Sequence, residues 1–152
     1  MKYTKDQAMT LVGLPTPKAV IHKSESHKLH QAFPVAKGVN IIQGMPVMLK
    51  TDGTIAPYMG EGIYLGIAVT NSDHPCYKDA PAGVDVTVMV EGFAIVYGVS
   101  SAELSAGAVK PTELKDDSMY VTYATDAQAT DPKFISLQSA SAADELVQIL
   151  VR

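Results

Sequence analysis

The residues whose spacing most resembles a metal site are three histidines, His22, His27 and His30. A transition-metal site needs three or four ligands that converge on one point and are held by further hydrogen bonds. These histidines lie in a polar stretch, HKSESHKLHQAF, that follows Pro15 and Pro17. We therefore interpret them as solvated or interfacial side chains, and we expect no metal and no cofactor.

A second candidate for chemistry is the stretch NSDHPCYKD, which contains Asp73, His74 and Cys76. A cysteine nucleophile needs a base within hydrogen-bonding distance and donors that stabilise the developing charge. Neighbouring loop residues rarely face one another, and Pro75 separates His74, the possible base, from the Cys76 thiol. We interpret the stretch as an ordinary loop.

The remaining acidic pairs and glycines do not form a recognisable catalytic motif. Asp116-Asp117 and Asp144-Glu145 are sequence neighbours, and neighbours on a strand point to opposite faces. The chain has no glycine-rich phosphate-binding motif. The stretch PAGVDV resembles one motif of the trimeric deoxyuridine triphosphatases, but the chain ends in VQILVR and not in their glycine-rich arm. We therefore expect a protein that is not an enzyme.

Composition excludes several other classes of function. The net charge is −4, and Lys and Arg are not concentrated in any segment, so we expect no direct nucleic-acid binding. No apolar run approaches the roughly 18 residues of a membrane-spanning helix. The single Cys76 excludes an internal disulfide framework and fits synthesis in a reducing cytosol. Charged residues make up only 18%, which suggests that other protein, including further copies, covers part of the surface.

The chain divides into an N-terminal arm, residues 1–37, and a β domain, residues 38–152. Thr4 and Gln7 have the spacing of a capping box, and Gly13 could end a helix that spans about residues 5–12. The prolines that follow favour an extended backbone. This arm could run over the surface of a neighbouring protein, or it could be a mobile tail.

From residue 38 onward the pattern predicts short strands. In GVDVTVMVEG, valines alternate with mostly polar residues, which is typical of a half-buried strand. Ile63–Val69, FAIVYGV, MYVTYAT, KFISLQ and ELVQILV are further strands. Asp52-Gly53 predicts a tight hairpin that pairs PVMLK with TIAPY.

Strands of this length between regular turn signals predict a mainly β fold, a small β-barrel or β-sandwich with an extended N-terminal arm. The stretch IIQGMPVML also resembles ELSAGAVKP, and each is followed by a polar turn and a pair of strands. This resemblance predicts an internal repeat.

Five stretches follow one another in a characteristic order: GVNIIQGMPVMLKTDGTIAPY, IYLGIAVTNSD, AGVDVTVMVEGFAIVYG, LSAGAVKP and SASAADELVQILV. In this order, from Gly38 to Arg152, the chain resembles the small capsid cement, or head-decoration, proteins of tailed bacteriophages. The base domain of phage head fibres is similar, so a head-fibre or carbohydrate-binding surface module is the alternative.

The resemblance implies a structural virion protein that is made in the host cytoplasm and lies on the capsid exterior. It implies that the major capsid protein is the partner and that the chain forms homotrimers at local symmetry axes. An extended arm can add a strand to the sheet of a neighbouring protein. The arm residues that we expect at the interface with the capsid or another partner are Leu11, Leu14, Pro15, Pro17, Val20 and Ile21.

Overall fold

The computed structural model describes residues 21–24, 29–70, 85–114 and 120–152, with only the backbone described for 21–24. Within these ranges all regular structure is β, which confirms the predicted fold class. The strands are β1 (Ile21–Ser24), β2 (Leu29–Pro34), β3 (Pro46–Leu49), β4 (Ile55–Pro57), β5 (Ile63–Ala68), β6 (Asp85–Glu91), β7 (Ala94–Ser100), β8 (Gly107–Leu114), β9 (Val121–Thr125), β10 (Phe134–Ser136) and β11 (Leu146–Val151). The helix predicted over residues 5–12 lies outside the described residues.

The C-terminal strands form a closed barrel. Their order is β7-β11-β10-β8-β9, and β9 returns to pair in parallel with β7, where Val99 lies opposite Thr122. Closing the sheet in this way leaves no free edge within the ring. Strand β1 lies outside the ring, beside the first half of β7, and Ile21 lies opposite Val96.

The N-terminal strands form a second sheet in the order β2-β6-β5-β3-β4. Its two outer strands meet where Val35, just after β2, bridges Ile55 in parallel. The N–H group of Ala36 donates a hydrogen bond to the Ile55 carbonyl oxygen at 3.0 Å. This sheet therefore closes by the same kind of parallel contact as the barrel that follows it.

The two sheets are repeats of one unit. Adding five to each strand number in the order of the first sheet gives the order of the second sheet. The residues that lie opposite one another agree as well. Leu49 lies opposite Ile55 as Pro111 lies opposite Tyr123, and Val47 lies opposite Gly66 as Val109 lies opposite Phe134. Val35 bridges Ile55 as Ser100 pairs with Tyr123. The repeat that IIQGMPVML and ELSAGAVKP predict is thus confirmed, with those stretches at equivalent places before and in β3 and β8.

Alternating valines and isoleucines supply the cores of both units. Val86 and Val88 of β6 are fully buried, as the period of two predicts, and the equivalent positions of β11 are buried as well. Met89 departs from the alternation, since it is buried although the pattern places it on the solvent face. It lines the groove described below.

The hairpin predicted at Asp52-Gly53 joins β3 to β4, but its turn differs from the expected one. Only Gly53 has a positive φ, +82°. The backbone bonds Lys50 N–H to Thr54 O and Gly53 N–H to Lys50 O enclose three residues, so the glycine follows a wider turn. The Asp52 carboxylate accepts hydrogen bonds from the Thr54 hydroxyl at 2.7 Å and from its N–H at 3.0 Å. These bonds lower the pKa of Asp52.

Aromatic side chains join the two repeats into one body. Tyr58 and Tyr64 come from the first unit, and Tyr123 and Phe134 come from the second. The ring centroids of Tyr64 and Phe134 are 5.2 Å apart, and those of Tyr123 and Phe134 are 5.8 Å apart. Burial raises the pKa of both Tyr64 and Tyr123 well above the ordinary tyrosine value. The units therefore share a continuous core.

The described part of the segment that we expected to be an arm is extended and paired. Strand β1 lies beside β7, and β2 lies beside β6, with Phe33 opposite Val86. The β structure therefore begins before residue 38. The division of the chain at that residue stays a prediction, and residues 1–20 lie outside the described ranges.

Candidate functional site

Most of the interface residues that the sequence predicts lie outside the described structure. This holds for Leu11, Leu14, Pro15, Pro17 and Val20. Ile21 begins β1, where its backbone lies opposite Val96. The role of all six at an interface stays a prediction.

Only some of the residues that could bind a metal or act as a nucleophile lie in the described ranges. His30 is exposed on β2, opposite Met89, and His22 lies in β1, but His27 and the loop with Asp73, His74 and Cys76 fall outside the described residues. In the described ranges, no group of three or more His, Cys, Asp or Glu side chains is placed to hold a metal ion.

A groove of about 750 Å³ lies beside the junction of the two repeats, and we call it the β5–β6 groove. Its walls come from β5, from the end of β6, from the Gly92-Phe93 link and from the end of the second unit. The groove exists because β5 and β6 pair only through Ile67–Met89 and Ala68–Val88. Beyond Gly66, the first half of β5 diverges from β6.

Apolar side chains surround this groove and remain in contact with solvent. Leu29 is 58% exposed, Phe93 is 47% exposed and Ile63 is 67% exposed. Leu29 and Phe93 line the groove, and Ile63 lies two residues before Leu65, which also lines it. Large apolar side chains that cluster on a surface mark a site of protein association more often than isolated ones do.

Charged groups lie at the rim. Glu91 ends β6, and Lys133 and Arg152 approach from the second unit. Asp131 lies 3.6 Å from the Arg152 guanidinium and 3.8 Å from the Lys133 ammonium group, and all three side chains are solvated. Solvated ion pairs of this kind contribute little stability, so these charges remain available to a partner. An apolar centre with a charged rim is the usual arrangement of a protein-binding surface.

The backbone edge of β2 continues this surface. Leu29, His30, Gln31 and Ala32 are all exposed, and the strand contains no Lys, Arg, Asp or Glu. Natural proteins usually protect an outer strand with charges, bulges or a covering segment. Among the described residues, β6 is the only strand paired along β2 between Leu29 and Pro34.

Sequence reasoning placed the interface in the arm and missed the surface around Leu29 and Phe93. One signal was present: LHQAFP contains no charged residue. The groove itself had no such signal, because it depends on where the pairing of β5 and β6 stops.

Comparisons with known proteins give no family for this chain. No protein-family model matches it, and no curated protein matches it. Within the parts of the chain that the structure describes, no helix has the length and hydrophobicity needed to span a bilayer.

Proposed function

We propose that this protein is a capsid decoration, or cement, protein of a tailed bacteriophage. It binds the outer surface of the major capsid protein, gathers as homotrimers and stabilises the assembled shell without catalysing a reaction. The proposal rests on the order of strand motifs from Gly38 to Arg152, which resembles that family. It places the finished protein on the virion exterior after synthesis in the host cytoplasm.

The observation that best supports a binding role is the apolar surface around the β5–β6 groove. Leu29, Ile63 and Phe93 keep about half or more of their side-chain area in contact with solvent. Covering such side chains stabilises a complex by roughly 25 cal/mol for each Å² removed from water. We assign this surface, with its charged rim, to contact with the capsid protein.

The fold suits a component that must hold other proteins together. A closed barrel and a second sheet that share one core resist local opening, because most of the described strands are paired on both sides. A rigid body that bridges several capsid subunits stabilises the assembled state by mass action, since it binds the shell better than the separated subunits.

Co-sedimentation with undecorated capsids of the phage that encodes the protein tests this proposal. We expect saturable binding by the full chain and a shell that withstands higher temperature when it is decorated. The substitution Phe93→Asp should weaken binding by about tenfold or more, because it places a charge in an apolar contact.

Leu137→Asp is the matched control, because Leu137 is 43% exposed but does not line the groove. It should leave binding unchanged. Equal loss of binding in both variants would refute the assignment of the groove, and no binding by the wild-type chain would refute the proposed function.

A further inference from the structure

The internal repeat shows that one strand position is filled in the second unit and open in the first. In the second unit, β1 covers the edge of β7 at Ala94–Val96. The registers identify the equivalent part of β2, because Phe33 lies opposite Val86 as Gly98 lies opposite Val147. Counting back along both strands, Leu29–Gln31 corresponds to Ala94–Val96. This part of β2 lacks a counterpart of β1 among the described residues.

The backbone of β2 has hydrogen-bonding groups directed at that open edge. The Ala36 N–H donates to Ile55 across the same edge, at 3.0 Å. Backbone groups alternate in direction along a strand, so the N–H groups of Ala32 and His30 also point to this edge. Pairing between β2 and β6 is regular from Gln31 to Pro34, which keeps this alternation intact.

Residues 1–20 have the length, the place in the chain and the charge needed to pair with the open edge of β2. The strand that fills the equivalent place, β1, follows them directly in the chain. Fully extended, twenty residues reach about 66 Å, which is longer than any strand pairing in either unit. They contain three lysines and one aspartate, whereas Asp85 and Glu91 lie opposite the two ends of β2.

The position of β1 favours a donor from a second copy. Ile21 lies opposite Val96 and Ser24 lies opposite Ala94, so Ile21, the end of β1 that adjoins residues 1–20, is the end further along the chain from Leu29. A donor from the same copy would have to reverse direction to reach β2, and a donor from a neighbouring copy would not.

We propose that a stretch of residues 1–20 from a second copy pairs with the free edge of β2 at Leu29–Ala32. The donor, which contains the apolar residues Leu11, Leu14 and Val20, would then lie in the plane of the first sheet beside β2, so the Leu29 side chain stays free to contact the capsid protein. Donor and acceptor are different segments, so copies can exchange the segment reciprocally or pass it head to tail, and a discrete assembly forms where these contacts close. The contact goes beyond capsid binding and forms without any capsid.

The test is the mass of the full chain in solution, measured by sedimentation velocity over a range of concentrations. The wild-type protein should form a discrete assembly of several copies. Ala32→Pro removes the N–H that points to the free edge and should weaken assembly by about tenfold or more. Ala32 is exposed on an outer strand, where proline is tolerated, so circular dichroism should show an intact fold.

Ala32→Thr is the control, because it keeps the N–H and favours strand structure. It should assemble as the wild type does. A wild-type chain that stays monomeric at all concentrations would overturn the proposal, and so would equal assembly by the proline and threonine variants.

Cross-linking identifies the donor. Copies grown with light and heavy nitrogen are mixed, treated with a lysine-reactive reagent and analysed by mass spectrometry. We expect links between light and heavy copies that join Lys2, Lys5 or Lys18 to Lys37, which follows β2 closely. Links confined to copies of one label would mean that each chain covers its own edge. Assembly without any link from these three lysines would mean that another segment fills the position, and either result would overturn the proposal.

Discussion

Gly66 is the position where a single methyl group should do the most damage to the fold. A Cβ atom placed there would lie 2.1 Å from the carbonyl oxygen of Met89 and 2.9 Å from its carbonyl carbon. Atoms of these types do not approach closer than about 3.2 Å, so β5 and β6 would have to separate by about 1 Å. The atoms in the way belong to backbone that is fixed by the Ile67–Met89 pairing.

The expected cost combines two effects. Overpacking costs about 1–3 kcal/mol, and the loss of two hydrogen bonds from the adjacent strand pairing adds about 2 kcal/mol. We therefore expect Gly66→Ala to lower the free energy of unfolding by about 3–5 kcal/mol, and the melting temperature by roughly 10 °C.

Urea denaturation followed by circular dichroism measures this change. Gly98→Ala serves for comparison, because its Cβ would lie 2.5 Å from ring carbons of Tyr123, and a side chain can move more easily than backbone. We expect it to cost about 1–3 kcal/mol. A Gly66→Ala variant that loses less than about 1 kcal/mol, or less than Gly98→Ala, would refute this packing of β5 on β6.

Three further predictions concern the buried core. Val88→Asp places an unpaired carboxylate where the wild-type side chain is fully buried, so we expect circular dichroism to show an unfolded protein. A folded variant would show that the faces of β6 are reversed. The Tyr123 hydroxyl is buried without a hydrogen-bond partner among the described residues, so Tyr123→Phe should raise the free energy of unfolding by about 1 kcal/mol. A lower free energy of unfolding for the variant, measured by urea denaturation, would show that this hydroxyl stabilises the fold. Because burial raises the pKa of Tyr64, the folded state keeps this phenol neutral while the unfolded chain ionises above about pH 10. Stability should be unaffected by this group below that pH and fall above it, by up to about 1.4 kcal/mol per pH unit; Tyr64→Phe should show a shallower fall in thermal melts, and an identical fall would count against the burial of this phenol.

The strands were predictable from the sequence because their side chains alternate. Val147, Ile149 and Val151 of β11 are buried, and their neighbours are less so, as the period of two requires. The hairpin at Asp52-Gly53 was also predictable, although its turn is wider than expected, because only the glycine adopts a positive φ.

The role of Leu29–Pro34 could not be predicted from local pattern. Its surroundings are polar and resemble an arm, and its place in the first sheet depends on pairing with β6, more than fifty residues later in the chain. The same holds for the β5–β6 groove, which results from two strands that stop pairing at Gly66. Long-range pairing is encoded in the match between distant segments, and no single window contains it.

The internal repeat was predicted from a weak similarity between two short stretches of sequence. Val47 and Val109 share a position in IIQGMPVML and ELSAGAVKP, and their partners, Gly66 and Phe134, are also equivalent. Few side chains are shared between the two units. What they share is the pattern of pairing, so the structure reveals the repeat far more clearly than the residues do.

We propose that this protein holds other proteins together on the surface of a phage capsid. Electron cryomicroscopy of undecorated capsids mixed with the purified protein tests this role most directly. We predict added density at regular positions on the outer surface of the shell, fitted by the paired β units with Leu29 and Phe93 facing the capsid protein. Capsids that remain bare at saturating protein concentration would contradict the claim.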